Sequence, residues 1–486
     1  MNNRQTPLES VAVVGAGPIA HIAALRLANA LPMARIVIVR TSNDPAALAD
    51  RFPSTLPGGW PTDVGCDEAE LVSRGIATHR LGIRFVDWGE DEREWTFAHG
   101  ADVILPMTGA LPLLWLAHAR DIIPRYEDLR PAAVLAATGR YIEVPDDRPS
   151  LLTYVDCGLR LDSVELLAML DHRARAVGIG FCDGDVVATE RLSDGNLSLL
   201  RLADGTTVCA DLFVDATGPR ALLAATAGEA APGWCGCDRM LIAERRGNPS
   251  PADTLRAIEL GWLGVRPLSE RHVVRLAYAS AMADEGHARR WLAIPKAEAI
   301  NLVQPRRRPA LAANALALGE AGSAIDPIGD FGFALAVRQL ALFLQLLPAR
   351  NIDPLLAHEF NRRAGLAAER IGTFVASLHS IRPRRHGSFW SRRQVRLPAQ
   401  LSAAATAFAE RGLLPQHDDQ SLSDADWRAA LLGLGVVPRQ RDAVARSADP
   451  VLVRPLLADL AKAIATLAAA LPAYPDHLAH LKDSAR

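Results

Sequence analysis

Residues 11–14, Val-Ala-Val-Val, form an unbroken apolar run that passes directly into a glycine-rich turn, Gly15-Ala-Gly-Pro-Ile-Ala20. A stretch with helical spacing follows to about Ala30, and a second apolar run, Ile-Val-Ile-Val, occupies 36–39. Short apolar runs bounded by turn signals read as buried strands, so the pattern predicts strand, turn, helix, strand. Further along, helix-like spacing at 162–170 gives way to alternation over 184–190, 199–207 and 210–218, broken by Asp-Gly at 194–195 and 204–205. Those breaks predict hairpin turns. A third return at 315–334 reads as a strand, a glycine-rich loop and a helix beginning near Gly332. Beyond about Leu335 the chain turns alanine-rich and helical.

In this setting the turn matches the G-x-G-x-x-A dinucleotide fingerprint. Gly15 permits a tight turn, Gly17 lets the backbone approach a pyrophosphate, and Ala20 allows close helix–strand packing, with phosphate at the helix N-terminus. The alternative is a fold that has kept the turn and lost its ligand. An acid is expected at the end of the second strand to hold ribose hydroxyls, and Arg40 stands there instead. It either faces a 2′-phosphate, as in NADP sites, or is solvated while Asn43 or Asp44 takes the ribose.

Composition narrows the class. The 486 residues give a soft prior of roughly three domains or one large α/β body. Charges nearly cancel, 53 basic against 55 acidic, which excludes nucleic-acid binding driven by bulk charge; 49% hydrophobic residues exclude disorder. No apolar run approaches the roughly 18 residues of a membrane span, and the first ten residues are polar, so a cytoplasmic protein is expected. Six cysteines in so long a chain argue against a disulfide framework. Cys235-x-Cys237 has the wrong spacing for zinc, and no metal site is expected. Neither His-Glu-x-x-His nor Gly-x-Ser-x-Gly occurs. Arginine clusters at 306–308 and 382–396 read as solvated loops rather than a docking patch. Only three lysines exist, Lys296, Lys462 and Lys482.

The Asp215-Ala-Thr-Gly218 segment and the 315–334 return resemble the flavoprotein layout. With His79-Arg-Leu-Gly-Ile-Arg-Phe-Val-Asp-Trp88, Leu111-Pro-Leu-Leu-Trp-Leu116, Ser388-Phe-Trp390 and the run from Trp427 to Pro438, nearly the whole chain resembles the flavin-dependent tryptophan halogenases. The resemblance implies an α/β fold: a Rossmann-like (GR2-type) FAD-binding domain with an inserted substrate domain and a helical C-terminal region. The FAD-binding domain is expected from 1–60, 151–225 and 306–345. A substrate-side insert at 61–150, substrate-domain strands at 226–305 and a helical region at 346–486 complete it. FAD is implied as cofactor, delivered as FADH₂ by a separate flavin reductase, with a small-molecule substrate and often a homodimer. Flavin-side residues are expected to be Gly15, Gly17, Ala20, Arg40, Val187, Gly218, Glu320 (where the family has Asp), Asp326, Pro327 and Gly332.

The resemblance also exposes departures. The family's lysine, which activates hypochlorous acid, falls on Arg80, and the first 295 residues hold no lysine to replace it. Arginine keeps its proton and cannot form a haloamine. The family's glutamate falls on Gly329, displacing the carboxylate to Asp330, beside the amides of Phe331 and Gly332 that would hold chloride. At about 5 Å and an effective dielectric near 20, Asp330 would repel chloride by on the order of 3 kcal/mol. The W-x-W-x-I-P signature is reduced to Arg290-Trp-Leu-Ala-Ile-Pro295, and the P-T-x-G-x-G-E loop to Pro61-Thr-Asp-Val-Gly-Cys-Asp67. Arg80, His79 and Asp330 are therefore the expected polar groups facing a substrate. Three readings stay open: flavin-based oxygenation or dehydrogenation of an aromatic or other small organic molecule, halogenation with an unusual apparatus, and a non-catalytic paralogue that binds a ligand or partner.

Overall fold

β1 (Ser10–Val14), α1 (Pro18–Ala30), β2 (Arg35–Arg40) and a single short turn of helix, α2 (Leu48–Arg51), open the chain. The computed structural model describes residues 6–143, 150–224, 229–230, 236–392, 399–414 and 421–484; Cys235, Arg393 and Arg396 lie outside them. Two compact units are present: Met1–Leu71, Arg160–Gly233 and Leu302–Gly372 make the first, and Val72–Leu159, Trp234–Asn301 and Thr373–Arg486 the second.

The first unit is built on a six-stranded sheet ordered Leu311–Ala312, Ala315–Ala317, Leu212–Asp215, β1, β2, Gly180–Asp183. All neighbours are parallel except the short Leu311–Ala312 edge. β1 is apolar almost throughout because a parallel sheet is covered on both faces. Strand order reverses at β1: the chain leaves toward β2, while Leu212–Asp215 lies on the other side. The crevice beyond the carboxyl ends at such a switch point is where these folds take ligands. Val186–Arg191, Leu197–Leu202 and Thr207–Val208 form a separate antiparallel sheet, with both Asp-Gly pairs at its turns. Leu197, Leu200 and Leu202 share a buried cluster with Ala12, Val14, Val39 and Phe213, so the small sheet packs on the large one.

The second unit carries a seven-stranded sheet ordered Glu298–Asn301, Arg239–Arg246, Arg271–Tyr278, Gly261–Pro267, Ala252–Ile258, Gly82–Trp88, Arg93–Ala98. Phe85 and Trp95 stack at 4.4 Å on it, and Trp390 donates from its indole nitrogen to the Ile258 carbonyl at 2.7 Å. Trp427 meets Phe374 edge-on at 5.2 Å. Helices Ala399–Arg411, Asp424–Gly433, Pro450–Ala470 and Tyr474–Ser484 form the C-terminal region. The fold class is thus mixed α/β with a helical C-terminal region. Among the described residues no helix is long and apolar enough to cross a membrane, no group of His, Cys, Asp and Glu is placed to hold a metal, and five cysteines are free.

Candidate functional site

The turn after β1 is shaped as its sequence requires. A Cβ on Gly15 would lie 2.5 Å from the Ala216 carbonyl oxygen and 3.1 Å from the Ala20 methyl, so only glycine lets β1 pass this close to its neighbour. Across the crevice, Asp215 accepts from the Thr217 amide and hydroxyl (3.0 and 2.7 Å) and from the Leu223 amide (2.7 Å). These bonds fold the Asp215-Ala-Thr-Gly218 turn and hold Gly218 at φ 69°.

Residues 44–51 lie on this floor. A Cβ on Gly17 would fall 2.3–2.6 Å from the Asp50 carboxylate, and one on Gly218 would fall 2.6 Å from the Ala47 methyl. The Ala49 methyl comes within 3.2 Å of the corresponding position on Gly332. Asp50 Oδ1 accepts from the Ile19 amide at 2.8 Å. Gly17, the N-cap of α1, has no side chain to do this, and α1 has no acid of its own in its first turn; Asp50 therefore satisfies one of the orphan donors at the helix start. Glu320 Oε2 accepts from the Ala49 amide at 2.9 Å. Asp44 accepts from Ala46 (2.9 Å) and Arg220 (3.2 Å) amides.

Burial sets the electrostatics of these acids. It pushes Glu320 up to about 8, aided by Asp50 and Asp44, while the Ala49 amide opposes it. Asp50 is only part-buried by surface area, yet crowding by protein atoms pushes it up to about 7 against the pull of the Ile19 amide. The positive end of α1 also favours its ionised form.

A dinucleotide does not fit this arrangement. The second glycine of the fingerprint leaves bare space for a phosphate, and here that space holds a carboxylate. When Asp50 is ionised, a phosphate about 4 Å away would be repelled by on the order of 4 kcal/mol at an effective dielectric near 20, so the two do not share the turn.

The structure brings Gly17, Gly218, Glu320 and Gly332 together around residues 44–51, with Gly15 and Ala20 in contact in the adjoining turn. Arg40 is engaged by Asp183 (2.5 and 2.8 Å) and Asp171 (3.2 Å) and covers the Phe181 ring. Val187 is 61% exposed on the small sheet. Asp326 accepts from the Ile328 amide at 3.1 Å, and the Pro327 carbonyl from the Asp330 amide at 3.3 Å. Asp330 is buried and stands at the N-cap position of the helix Phe331–Gln345 in the left-handed region, at φ 52°, without a capping bond from its side chain.

In the second unit, Arg80 and His79 share the strand Ala77–Arg80. Arg80 is buried and its Nε donates to Asp253 Oδ2 at 2.6 Å. His79 lies between the Tyr474 hydroxyl, 3.2 Å from Nδ1, and Glu143 Oε1, 2.7 Å from Nε2. The Tyr474 hydroxyl accepts from the His79 amide at 2.7 Å, which suits a proton on Nε2. Its bond to His79 holds Glu143 below the usual carboxylate range. A cavity of about 500 Å³ in the same unit is lined by Arg93, Trp115, Arg120, Tyr126, Arg382 and Val436, among others.

Sequence reasoning missed Asp50 and Asp253. Asp253 had a faint signal, an acid inside the otherwise strand-like Ala-Asp-Thr-Leu-Arg-Ala-Ile. Asp50 had none, because its meaning depends on the chain folding back on a turn 31 residues earlier.

A parallel sheet with a glycine turn at its switch point defines a protein of the dinucleotide-fold class. Residues 10–450 match the tryptophan halogenase family, and the chain belongs to that family, whose members use FAD. It is 21% identical to tryptophan 7-halogenase RebH of Lentzea aerocolonigenes, over 89% of this chain and 90% of that protein. Among solved structures it is similar to BrvH, a flavin-dependent halogenase from Brevundimonas sp. BAL3 (TM-score 0.90, 24% identity, 98% of this chain and 99% of that one). Xcc4156, a flavin-dependent halogenase from Xanthomonas campestris, gives 0.89 at 24% identity over 98% of each chain. At such identities the structural likeness concerns the fold alone.

Proposed function

We propose that this chain is a member of the tryptophan halogenase family that does not halogenate, and that it serves as a binding protein for a small organic molecule or a partner. The observation that carries this reading is the Arg80–Asp253 ion pair at the position where the resemblance puts the activating lysine. A guanidinium keeps its proton and has no free amine to form a haloamine. The pair is also closed: Asp253 neutralises the charge that would otherwise polarise an incoming oxidant. The cavity beside Trp115 and Tyr126 has a volume ordinary for small-molecule sites, with arginines to orient an anionic or aromatic ligand.

A second reading keeps chemistry. Retention of all three strand-and-turn segments around the crevice favours a protein that still uses reduced flavin, supplied by a separate reductase, and oxygen on an aromatic or other small organic substrate. It requires residues 44–51 to leave the crevice. Cytoplasmic location and a homodimer belong to both readings as expectations.

The test is incubation with a flavin reductase, NADH, FAD and oxygen over an indole and phenol panel, with and without bromide, read by mass spectrometry. No halide-dependent product is expected from wild type. None is expected from the Arg80→Lys, Gly329→Glu double variant either, because Asp253 would hold the new lysine in its charged, non-nucleophilic form. A bromine isotope pattern from wild type would contradict the proposal. A halide-independent gain of one oxygen would support the second reading.

A further inference from the structure

We infer that residues 44–51 are an intramolecular plug of the nucleotide crevice, with the Asp50 carboxylate standing in for a nucleotide phosphate on the α1 turn. This goes beyond the proposal above, which rests on Arg80 in the other unit; either can fail alone.

Three separate contacts seat the segment. Asp50 covers Gly17 and bonds the Ile19 amide. Ala47 fills the hollow over Gly218. Ala49 lies on Gly332 and gives its amide to Glu320. Each contact pairs a small residue of the segment with a glycine of the floor, or an acid with a backbone amide. The spaces over Gly17 and Gly218 are thus filled by complementary atoms of the same chain, and one orphan donor of α1, the Ile19 amide, is answered without a ligand. This is more than a loop resting near a site. The substitution at 320 supports it independently: the longer glutamate reaches the Ala49 amide, a bond internal to the plugged state.

The plug is also built to be displaceable. α2 is one turn long, with Pro45 before it and Pro53 after it. Hydrogen bonds from Ile19 to Asp50 and from Ala49 to Glu320 hold it to the crevice wall, with Asp44 anchoring its start to Arg220. A ligand carrying a diphosphate would compete for the Ile19 amide and the space over Gly17, so nucleotide binding and plug seating exclude each other.

The experiment is titration of the full chain with FAD and, separately, with ADP, followed by calorimetry, on wild type, Asp50→Ala and Asp50→Asn. Removing the carboxylate should tighten binding of both probes about 10–100-fold, as loss of a charged hydrogen-bond competitor does. Asp50→Asn, which keeps the shape and an acceptor oxygen, should fall between and serves if the alanine variant fails to fold. In parallel, limited trypsin cleavage after Arg51 should speed up in Asp50→Ala and, for wild type, at saturating FAD. Wild-type affinity equal to that of Asp50→Ala would overturn the inference. So would absence of binding in all three proteins, because the floor rather than the plug would then be at fault.

Discussion

Asp253→Asn should lower the stability of the second unit by about 3–5 kcal/mol, the usual cost of leaving one half of a buried ion pair uncompensated. Arg80 is 2% exposed and Asp253 4%, so water cannot take over the lost charge, and arginine does not escape by deprotonating. Register deepens the effect. Thr254 stands opposite Val265 and Gly264 opposite Arg275, so Asp253, Arg266 and Arg275 lie on one face of the sheet. Both of those arginines are buried as well. An amide at 253 would leave that cationic face without this carboxylate. Arg80→Met combined with Asp253→Leu should cost less than Asp253→Asn, since the Arg80 charge leaves with its partner and only Arg266 and Arg275 lose the carboxylate. Thermal melts of the three proteins check this. Equal melting temperatures for Asp253→Asn and wild type would show that Asp253 does not compensate Arg80.

Raising the pH from about 5 to 9 should destabilise the first unit, opposite to the behaviour of salt-bridged carboxylates. Glu320 rises from 4.5 to about 8 on folding and Asp50 from 3.8 to about 7, each mainly through burial. Between the unfolded and folded values the folded chain keeps protons that the unfolded chain releases. The associated stability is complete below about pH 4, declines as pH climbs through 7 and 8, and levels off above. For Glu320 the full span is on the order of 5 kcal/mol. Glu320→Gln should flatten the profile and keep the bond from Ala49, while Asp50→Asn should remove the lower part of the slope. Melting temperature against pH for the three proteins is the measurement, and a wild-type curve that rises from pH 5 to 9 would refute the assignment of these acids.

Local features were legible in the sequence. The strand, turn and helix around Gly15 are set by contiguous residues, and the Asp-Gly turns at 194–195 and 204–205 carry their own backbone chemistry, with Asp194 and Asp204 each bonding the amide two residues on. Tryptophans 390 and 427 were readable as family blocks, and both are buried. What could not be read were pairings made by the fold alone. Arg80 and Asp253 are 173 residues apart, and Glu320 meets Ala49 across 271. Arg40 illustrates the same limit: sequence left it facing a phosphate or solvent, whereas Asp183, brought alongside by the parallel pairing of its strand with β2, takes the guanidinium. The fingerprint glycines announced open space, and nothing local revealed that the chain fills it itself.

The most direct test is a crystal structure of the wild-type protein grown at neutral pH with FAD at a concentration just sufficient to saturate Asp50→Ala. Asp50 should remain on the Ile19 amide, with no flavin electron density over Gly17. A fully occupied FAD whose phosphates sit on that turn, with residues 44–51 swung aside, would contradict the account of a closed crevice.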